Sequence, residues 1–158
     1  MTGIFIASKE LATSRSGATV RIEREFEVRR PLQEVFAYLA DVTNEAKWNP
    51  WAKWVRKVSD APIGPGAVFR GEYQGFGELE QDLSVYEPPH RLVYHSMPKG
   101  MEQATMAFEL ADSGTATRVR IVGEAKPRGA MKLLEPMMVM RMKPHLADLE
   151  TGIVRELA

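Results

Sequence analysis

Cysteine is absent from this sequence of 158 residues, and its absence excludes disulfides, thiolate metal sites and cysteine nucleophiles. An excess of either charge is absent as well, because 21 Lys and Arg residues balance 21 Asp and Glu residues. A general nucleic-acid-binding protein usually carries a basic excess, so this balance disfavours that class. Long apolar runs are also missing, and none approaches the ~18 residues that a membrane span requires.

What the sequence does contain is the composition of one ordinary globular domain. Hydrophobic residues make up 44% of it and charged residues 27%, both close to the averages of soluble domains. Residues 1–17 lack the basic start and the ~7–15-residue apolar core of a secretory signal, so we interpret them as a tail or an edge segment. We expect a single cytoplasmic domain over residues 18–158.

The first periodic segment alternates in the manner of a half-buried strand, with Val20, Ile22, Phe26 and Val28 on its apolar phase. Pro31 ends this strand and suits the start of a helix. Apolar residues at helical spacing then predict a short helix through Asp41. Asn44 can cap a second, shorter helix, which Pro50 prevents from continuing.

The middle of the chain is predicted to form a run of strands. Six segments, spaced roughly ten residues apart, alternate between apolar and polar residues and are separated by turns rich in Gly and Pro. They begin near Trp54, Val68, Leu79, Arg91, Glu102 and Thr117. Together with the first strand they predict about seven antiparallel strands connected as a meander.

The C-terminal segment has helical periodicity. From Gly129 onward, apolar residues recur every three or four positions, which predicts one long helix. Pro136 and Pro144 interrupt the stripe, and each removes a backbone donor and clashes with the preceding turn. We expect the helix to be kinked or split at these positions.

In this order the elements resemble a known family. The residues that carry the resemblance are Val28 to Pro31, Glu34 to Asp41, Trp48 to Pro50, the glycine turn from Ile63 to Phe69, and Pro136 in the final helix followed by the acidic-basic segment from Leu146. They resemble the helix-grip fold of the START and birch-pollen-allergen superfamily (SRPBCC), and within it the polyketide cyclase/dehydrase and lipid-transport branch. The likeness covers about Thr19 to Leu157.

The resemblance implies an α+β helix-grip domain, in which a strongly curved antiparallel sheet wraps around a long C-terminal helix and leaves a cavity. Members hold lipids, sterols, polyketides, quinones or aromatic ligands there, and some catalyse cyclisation or dehydration. The fold does not choose between carrier and catalyst. The first hypothesis is binding or transport of a small hydrophobic or aromatic ligand, such as a lipid, a polyketide or a quinone-like molecule. The alternatives are a cofactor-independent aromatase/cyclase or dehydratase and a protein-interaction module.

Methionines of the final helix are the first candidates for a cavity wall. Five of the nine methionines lie within twelve residues of this helix, and flexible, polarisable side chains suit an irregular apolar pocket. The alternative is plain core packing beneath the sheet. With inward-facing strand residues added, the predicted apolar lining comprises Phe26, Leu83, Met106, Phe108, Met131, Leu134, Met138 and Met142.

Polar and aromatic residues complete the predicted binding site. Arg24, Gln81 and Gln103 are polar residues in largely apolar strands, where a buried polar group needs a partner that a ligand can supply. For Arg24 the alternative is a strand-edge side chain that reaches solvent. Trp51, beside Pro50, can cap the mouth of a pocket and stack on a planar ligand, or it can belong to a small core under the helices.

His95 is the candidate for acid–base catalysis. It shares a strand phase with Val93 and Met97, and histidine titrates near neutral pH. The alternative is an ordinary hydrogen-bonded strand histidine. Tyr94 lies on the opposite face of the same strand, so only one of the two can line the cavity.

Metal and cofactor chemistry is not expected. The three histidines, His90, His95 and His145, fall on different predicted elements without the spacing of metal ligands. We therefore predict no metal and no cofactor. The expected partner is one small apolar or aromatic molecule, with neither nucleic acid nor a membrane span, and a homodimer is compatible with these expectations.

Overall fold

A computed structural model describes residues 9–16 and 19–158 of the chain. Within these residues, eight antiparallel strands form one sheet, accompanied by three α-helices and two 3-10 helices. In chain order they are β1 (Lys9–Ser16), β2 (Thr19–Val28), α1 (Leu32–Ala40), a 3-10 helix (Val42–Asn44), α2 (Glu45–Trp48), β3 (Ala52–Lys57), β4 (Val68–Tyr73), β5 (Gly77–Glu87), β6 (Arg91–Ser96), β7 (Met101–Asp112), β8 (Thr117–Pro127), a second 3-10 helix (Gly129–Leu134) and α3 (Glu135–Glu156).

The sheet has the strand order β1-β2-β8-β7-β6-β5-β4-β3, so the strands from β3 to β8 form a meander and β2 closes onto β8. The seven strands from β2 to β8, the two short helices and the long final helix confirm the predicted helix-grip architecture. β1 pairs with β2 at the edge of the sheet, within the segment interpreted as a tail or edge. The rest of that segment, residues 1–8 and 17, lies outside the described residues.

The two short helices begin where the sequence predicts. Pro31 precedes α1, whose buried side chains include Val35 and Leu39, both fully inaccessible. Asn44 precedes α2, but the predicted capping bond is wrong. Its side-chain amide instead donates to the carbonyl oxygen of Tyr38 at 3.0 Å, which ties the start of α2 to the end of α1.

The final helix is continuous over 22 residues, so the predicted split does not occur. Pro136 stands in its first turn, where the backbone nitrogen has no intrahelical acceptor in any case. Pro144 lies inside the helix. The helical periodicity that begins at Gly129 belongs first to the second 3-10 helix, which leads into α3.

The two ends of α3 have different surroundings. Towards the C-terminus, Leu146, Leu149 and Ile153 are at most 2% exposed and pack in the main core, where burying each side chain contributes about 1.5–3 kcal/mol. Gly152 permits close contact with α2, because a Cβ there would lie 2.0 Å from the carbonyl oxygen of Trp48. Towards the N-terminus, α3 faces an open space rather than a packed core.

Candidate functional site

This open space is a cavity of about 730 Å³ between the inner face of the sheet and the N-terminal half of α3. Its wall is mostly apolar and is built from strands β2 and β4 to β8, from α2 and α3, and from the β4–β5 and β6–β7 turns. A volume of this size lies within the ~300–1,000 Å³ typical of small-molecule sites.

Small side chains on three neighbouring strands keep the cavity open. Ser96 of β6 lies opposite Ala104 of β7, which in turn lies opposite Ala125 of β8. Met106 of β7 lies opposite Gly123, which has no side chain. These residues all line the cavity. Because the small ones project little from the sheet, the helix that crosses it leaves space unfilled.

The helical side of the wall is formed by methionines. Met131, Met138 and Met142 line the cavity and are partly buried. Met137 and Met140 point away from it and are 63% and 75% exposed. The predicted methionine wall is therefore made by three of the five methionines in this segment.

A buried carboxyl group belongs to the wall. Glu45, the first residue of α2, is only 7% exposed. Its Oε2 accepts hydrogen bonds from the Tyr73 hydroxyl at 2.6 Å and from Nε2 of Gln81 at 3.0 Å. Its Oε1 accepts from Nδ2 of Asn49 at 2.8 Å. All four of these residues line the cavity, so its apolar wall contains one connected polar cluster.

Burial sets the protonation of this cluster. It raises the pKa of Glu45 above its usual value, although the hydrogen bonds from Tyr73, Asn49 and Gln81 act in the opposite direction. Burial and the neighbouring carboxyl also raise the pKa of Tyr73, so its hydroxyl remains a donor. That hydroxyl also accepts from Gln81. Of the three atoms that face the Glu45 carboxyl, only the Tyr73 hydroxyl oxygen can accept a hydrogen bond, because the other two are amide nitrogens of Asn49 and Gln81.

A histidine forms a second feature of the wall. His145 of α3 is 4% exposed, and its ring stacks on the indole of Trp51 with centroids 3.5 Å apart. Burial lowers the pKa of His145 to about 4, so the ring is neutral at pH 7. Its Nδ1 has no hydrogen-bond partner among the residues that the structure describes. A buried polar atom without a partner is uncommon and is open to a ligand or a water molecule.

Seven of the predicted binding residues line the cavity together, namely Trp51, Gln81, Tyr94, Met106, Met131, Met138 and Met142. Tyr94 contributes the face of its ring, because its hydroxyl donates to the carbonyl oxygen of Leu39. Trp51 also lies near Phe76 of the β4–β5 turn, with ring centroids 6.0 Å apart.

The other predicted binding residues lie outside the cavity wall. Phe26, Leu83 and Phe108 are at most 4% exposed and pack in the core, where helices fill the inner side of the sheet. Arg24 faces α3 and pairs with Glu150, so its charge is met by the protein rather than at a strand edge. Leu134 and Gln103 are exposed. Leu134 is the last residue of the second 3-10 helix, and Gln103 follows the shift in register between Met101 and Gln103 at the start of β7.

His95 does not face the cavity. Its Nδ1 lies 3.0 Å from Oδ1 of Asp82, its cross-strand neighbour on β5, and its side chain is 30% exposed. Of the two adjacent residues on β6, Tyr94 is therefore the one that lines the cavity. His95 is therefore not among the residues that line the cavity with the polar groups of the wall.

The acid–base groups of the cavity were missed in the sequence. Tyr73 carried a readable signal, because it lies on the same strand phase as Phe69 and both are buried. Glu45 carried little signal, since an acidic residue in a first helical turn is usually exposed. His145 carries no such signal, because Trp51, on which its ring stacks, is remote in sequence.

Metal-ligand clusters and membrane-spanning helices are both absent from the described part of the chain. No group of three or more His, Asp or Glu side chains there is arranged to hold a metal ion. Among the same residues, no helix combines the length and the apolar character needed to cross a bilayer.

Several solved structures share this fold. The chain resembles the Zhui aromatase/cyclase from Streptomyces sp. R1128 with a TM-score of 0.71 and 14% identity, over 88% of this chain and 93% of that one. It resembles a START superfamily protein from Mycobacterium smegmatis with a TM-score of 0.69 and 15% identity, over 87% and 99%. It resembles CalU16 from Micromonospora echinospora with a TM-score of 0.60 and 19% identity, over 95% and 88%. At these identities the likeness establishes the fold alone.

The sequence itself establishes the family. No curated protein sequence matches this chain. The sequence model of the family described as polyketide cyclase / dehydrase and lipid transport matches residues 19–153, which include every strand from β2 to β8 and most of α3. The chain is a member of the polyketide cyclase / dehydrase and lipid transport family.

Proposed function

We propose that this chain binds or transports a small, uncharged, apolar or aromatic molecule in its cavity. The observation that carries the proposal is a mostly apolar space of about 730 Å³ whose wall contains one polar cluster. In such sites apolar area supplies most of the affinity, and a few polar groups fix the orientation of the ligand. The family description and the fold shared with an aromatase/cyclase agree with this class of ligand.

The charge state of the wall supports an uncharged ligand. The raised pKa of Glu45 shows an environment that disfavours a negative charge, and the lowered pKa of His145 shows one that disfavours a positive charge. The free Nδ1 of His145 can accept a hydrogen bond from a hydroxyl group or donate one to a carbonyl, depending on its tautomer. A phenol, an alcohol or a ketone would satisfy it without bringing in a charge.

Native mass spectrometry of the purified protein tests this proposal. We expect a bound molecule that is retained under gentle ionisation and released on denaturation. If the cavity is empty after purification, titration with the neutral dye N-phenyl-1-naphthylamine should saturate at one dye per chain. The absence of both a bound molecule and saturable dye binding would contradict the proposal.

A cofactor-independent cyclase or dehydratase is the second candidate, and one contact favours it. The Tyr73 hydroxyl and the Glu45 carboxylate, 2.6 Å apart in the cavity wall, can relay a proton from a bound molecule, because the hydroxyl can pass its own proton to Glu45 as it takes up another. His95, the catalytic residue that the sequence predicts, is replaced in this candidate by these two groups. The third hypothesis, an interaction module, is disfavoured because such a module has no need for an open interior.

Incubating the molecule that co-purifies with the Tyr73→Phe variant with the wild-type protein separates catalyst from carrier. An enzyme should convert it, and Tyr73→Phe should bind it but convert it at least about a hundredfold more slowly, because one proton-transfer group is worth roughly 10²–10⁴ in rate. A carrier should leave the molecule unchanged, in which case both proteins return it intact.

A further inference from the structure

Exposed apolar side chains are concentrated on segments that also supply residues of the cavity wall. Of the nine large hydrophobic side chains that are exposed in the described part of the chain, six occur on the β4–β5 turn, on the β6–β7 turn, or on the segment that runs from the second 3-10 helix into α3. We call these six side chains the rim: Phe76, Met97, Leu133, Leu134, Met137 and Met140. Leu133 is 84% exposed, Met140 75% and Met97 69%, which is unusual for side chains of this size.

The rim is one surface rather than scattered residues. The backbone nitrogen of Arg128 donates to the carbonyl oxygen of Gly100 at 2.9 Å, which joins the β6–β7 turn to the start of the second 3-10 helix. A Cβ on Gly100 would lie 2.9 Å from Cγ of Met131, so the two segments are in close contact. Residues adjacent to the rim in sequence, including Pro98 and Met138, line the cavity. The rim therefore adjoins the cavity wall.

Positive charge accompanies this apolar surface. The two segments 97–102 and 126–144 contain six basic residues and two acidic residues, although the whole chain has a net charge of zero. One basic residue, Lys126, pairs with Glu102 at 3.1 Å, while Lys132 and Arg141 are exposed beside the rim. The chain thus concentrates basic charge at the end where it exposes apolar side chains.

We infer that the rim docks on an anionic lipid bilayer, with the mouth of the cavity turned towards the membrane. Apolar side chains that protrude from a helical segment flanked by Lys and Arg are suited to burial at the headgroup boundary, where the basic residues meet anionic lipids. Contact through this same face with a second copy would bring two basic surfaces together, which is unfavourable.

This docking gives the cavity access to a ligand that is poorly soluble in water, a consequence that rests on the proposed function. A molecule leaving the bilayer beneath the rim could then meet Met131 and Met138, the cavity-lining methionines closest to the rim in sequence. The transfer would then expose little apolar surface to water.

Vesicle co-sedimentation tests the docking directly. The wild-type protein should sediment with vesicles that contain roughly a quarter of anionic phosphatidylglycerol in phosphatidylcholine, and should bind pure phosphatidylcholine far more weakly. The variant Leu133→Ser/Met137→Ser/Met140→Ser should lose at least about tenfold in bound fraction. The matched control Val58→Ser/Ile63→Ser removes exposed apolar side chains near the opposite end of β4 and should bind like the wild type.

Because the chain has no cysteine, a single introduced cysteine can carry an environment-sensitive dye. Dye on Leu133→Cys should shift its emission to the blue on anionic vesicles, whereas dye on Val58→Cys should not shift. Sedimentation of the triple variant equal to that of the wild type, or the absence of wild-type binding at about 0.1 M salt, would overturn the inference. Dimers lost in the triple variant, without vesicle binding, would overturn it in favour of a second copy.

The inference and the proposed function fail separately. N-phenyl-1-naphthylamine binding in free solution should be the same in the triple variant and the wild type, because none of the three substituted residues lines the cavity. Vesicle binding without dye binding would contradict the proposed function and leave the docking intact. Dye binding without vesicle binding would contradict the docking and leave the proposed function intact.

Discussion

The imidazole of His145 lies flat on the indole of Trp51, with ring centroids 3.5 Å apart and planes 12° from parallel. Trp51 follows α2, whereas His145 is in the middle of α3, so the stacked pair joins the helix to the opposite wall of the cavity. The contact buries the imidazole and holds it in its neutral form at pH 7. The stability of the fold therefore depends on the protonation of a residue in the cavity wall.

The stacked pair predicts a loss of stability in mild acid. The pKa of His145 is about 4 in the folded chain and 6.5 in its ordinary state, so between these values the unfolded chain binds more protons. The contribution of His145 is complete above pH 6.5 and is lost as the pH falls towards 4, by at most roughly 3 kcal/mol. Urea unfolding at several pH values measures this loss.

His145→Phe supplies the comparison, because phenylalanine keeps a ring on Trp51 and does not titrate. We expect the free energy of unfolding of the wild type, minus that of the variant, to fall as the pH is lowered from 6.5 to 4. His90→Phe, which replaces a histidine outside the cavity, is the matched control. A difference between wild type and His145→Phe that does not change with pH would show that His145 is not buried in its neutral form.

Glu45 predicts the opposite pH dependence. Burial raises the pKa of Glu45 in the folded chain above its ordinary value of 4.5. At a pH between 4.5 and the raised pKa, Glu45 is therefore protonated in the folded chain but ionised in the unfolded chain. The stability of the wild type relative to Glu45→Gln should therefore fall as the pH rises above 4.5. Thermal unfolding of both proteins from pH 4 upwards gives this difference. Glu34→Gln, at an exposed position of α1, serves as the control. If the stability of the wild type relative to Glu45→Gln instead increased with pH, the prediction would be contradicted.

Gly152 predicts an inverted helix-propensity effect. In an ordinary helix interior, Gly→Ala is stabilising by roughly 0.5–1 kcal/mol. Here the new Cβ would lie 2.0 Å from the carbonyl oxygen of Trp48, so α3 and α2 must separate. We expect Gly152→Ala to destabilise the fold by about 1–3 kcal/mol in urea unfolding, while Thr151→Ala on the exposed side does not. Unchanged or increased stability of Gly152→Ala would show that the two helices are not in contact.

The architecture could be predicted because the apolar periodicity of each element is strong. The alternation from Val20 to Val28 predicted β2 within one residue of its observed bounds, and the helical spacing after Pro31 predicted α1. Periodicity also separated Tyr94 from His95 onto opposite faces of β6. It could not say which face the helix covers, because Val93 on the outer face is apolar as well and is also buried.

The cavity was harder to predict than the fold, because the inner face of the sheet is not uniform. Phe108 and Ala104 share the same phase of β7, yet Phe108 is packed in the core while Ala104 lines the cavity. The difference depends on where α3 crosses the sheet, which no local pattern records. The burial of Glu45 could not be predicted from a local pattern either, because its hydrogen-bond partners Tyr73 and Gln81 are 28 and 36 residues away in sequence.

The central claim is that the cavity under α3 is the ligand site, and a pair of adjacent substitutions tests it most directly. Met138 lines the cavity, whereas Met137 beside it is 63% exposed and does not. Met138→Trp fills part of the space, so titration with N-phenyl-1-naphthylamine should show at least about a tenfold loss of affinity, as expected when apolar contact area is removed from a site. Met137→Trp should bind the dye like the wild type. Undiminished binding by folded Met138→Trp, as judged by circular dichroism, would contradict the claim.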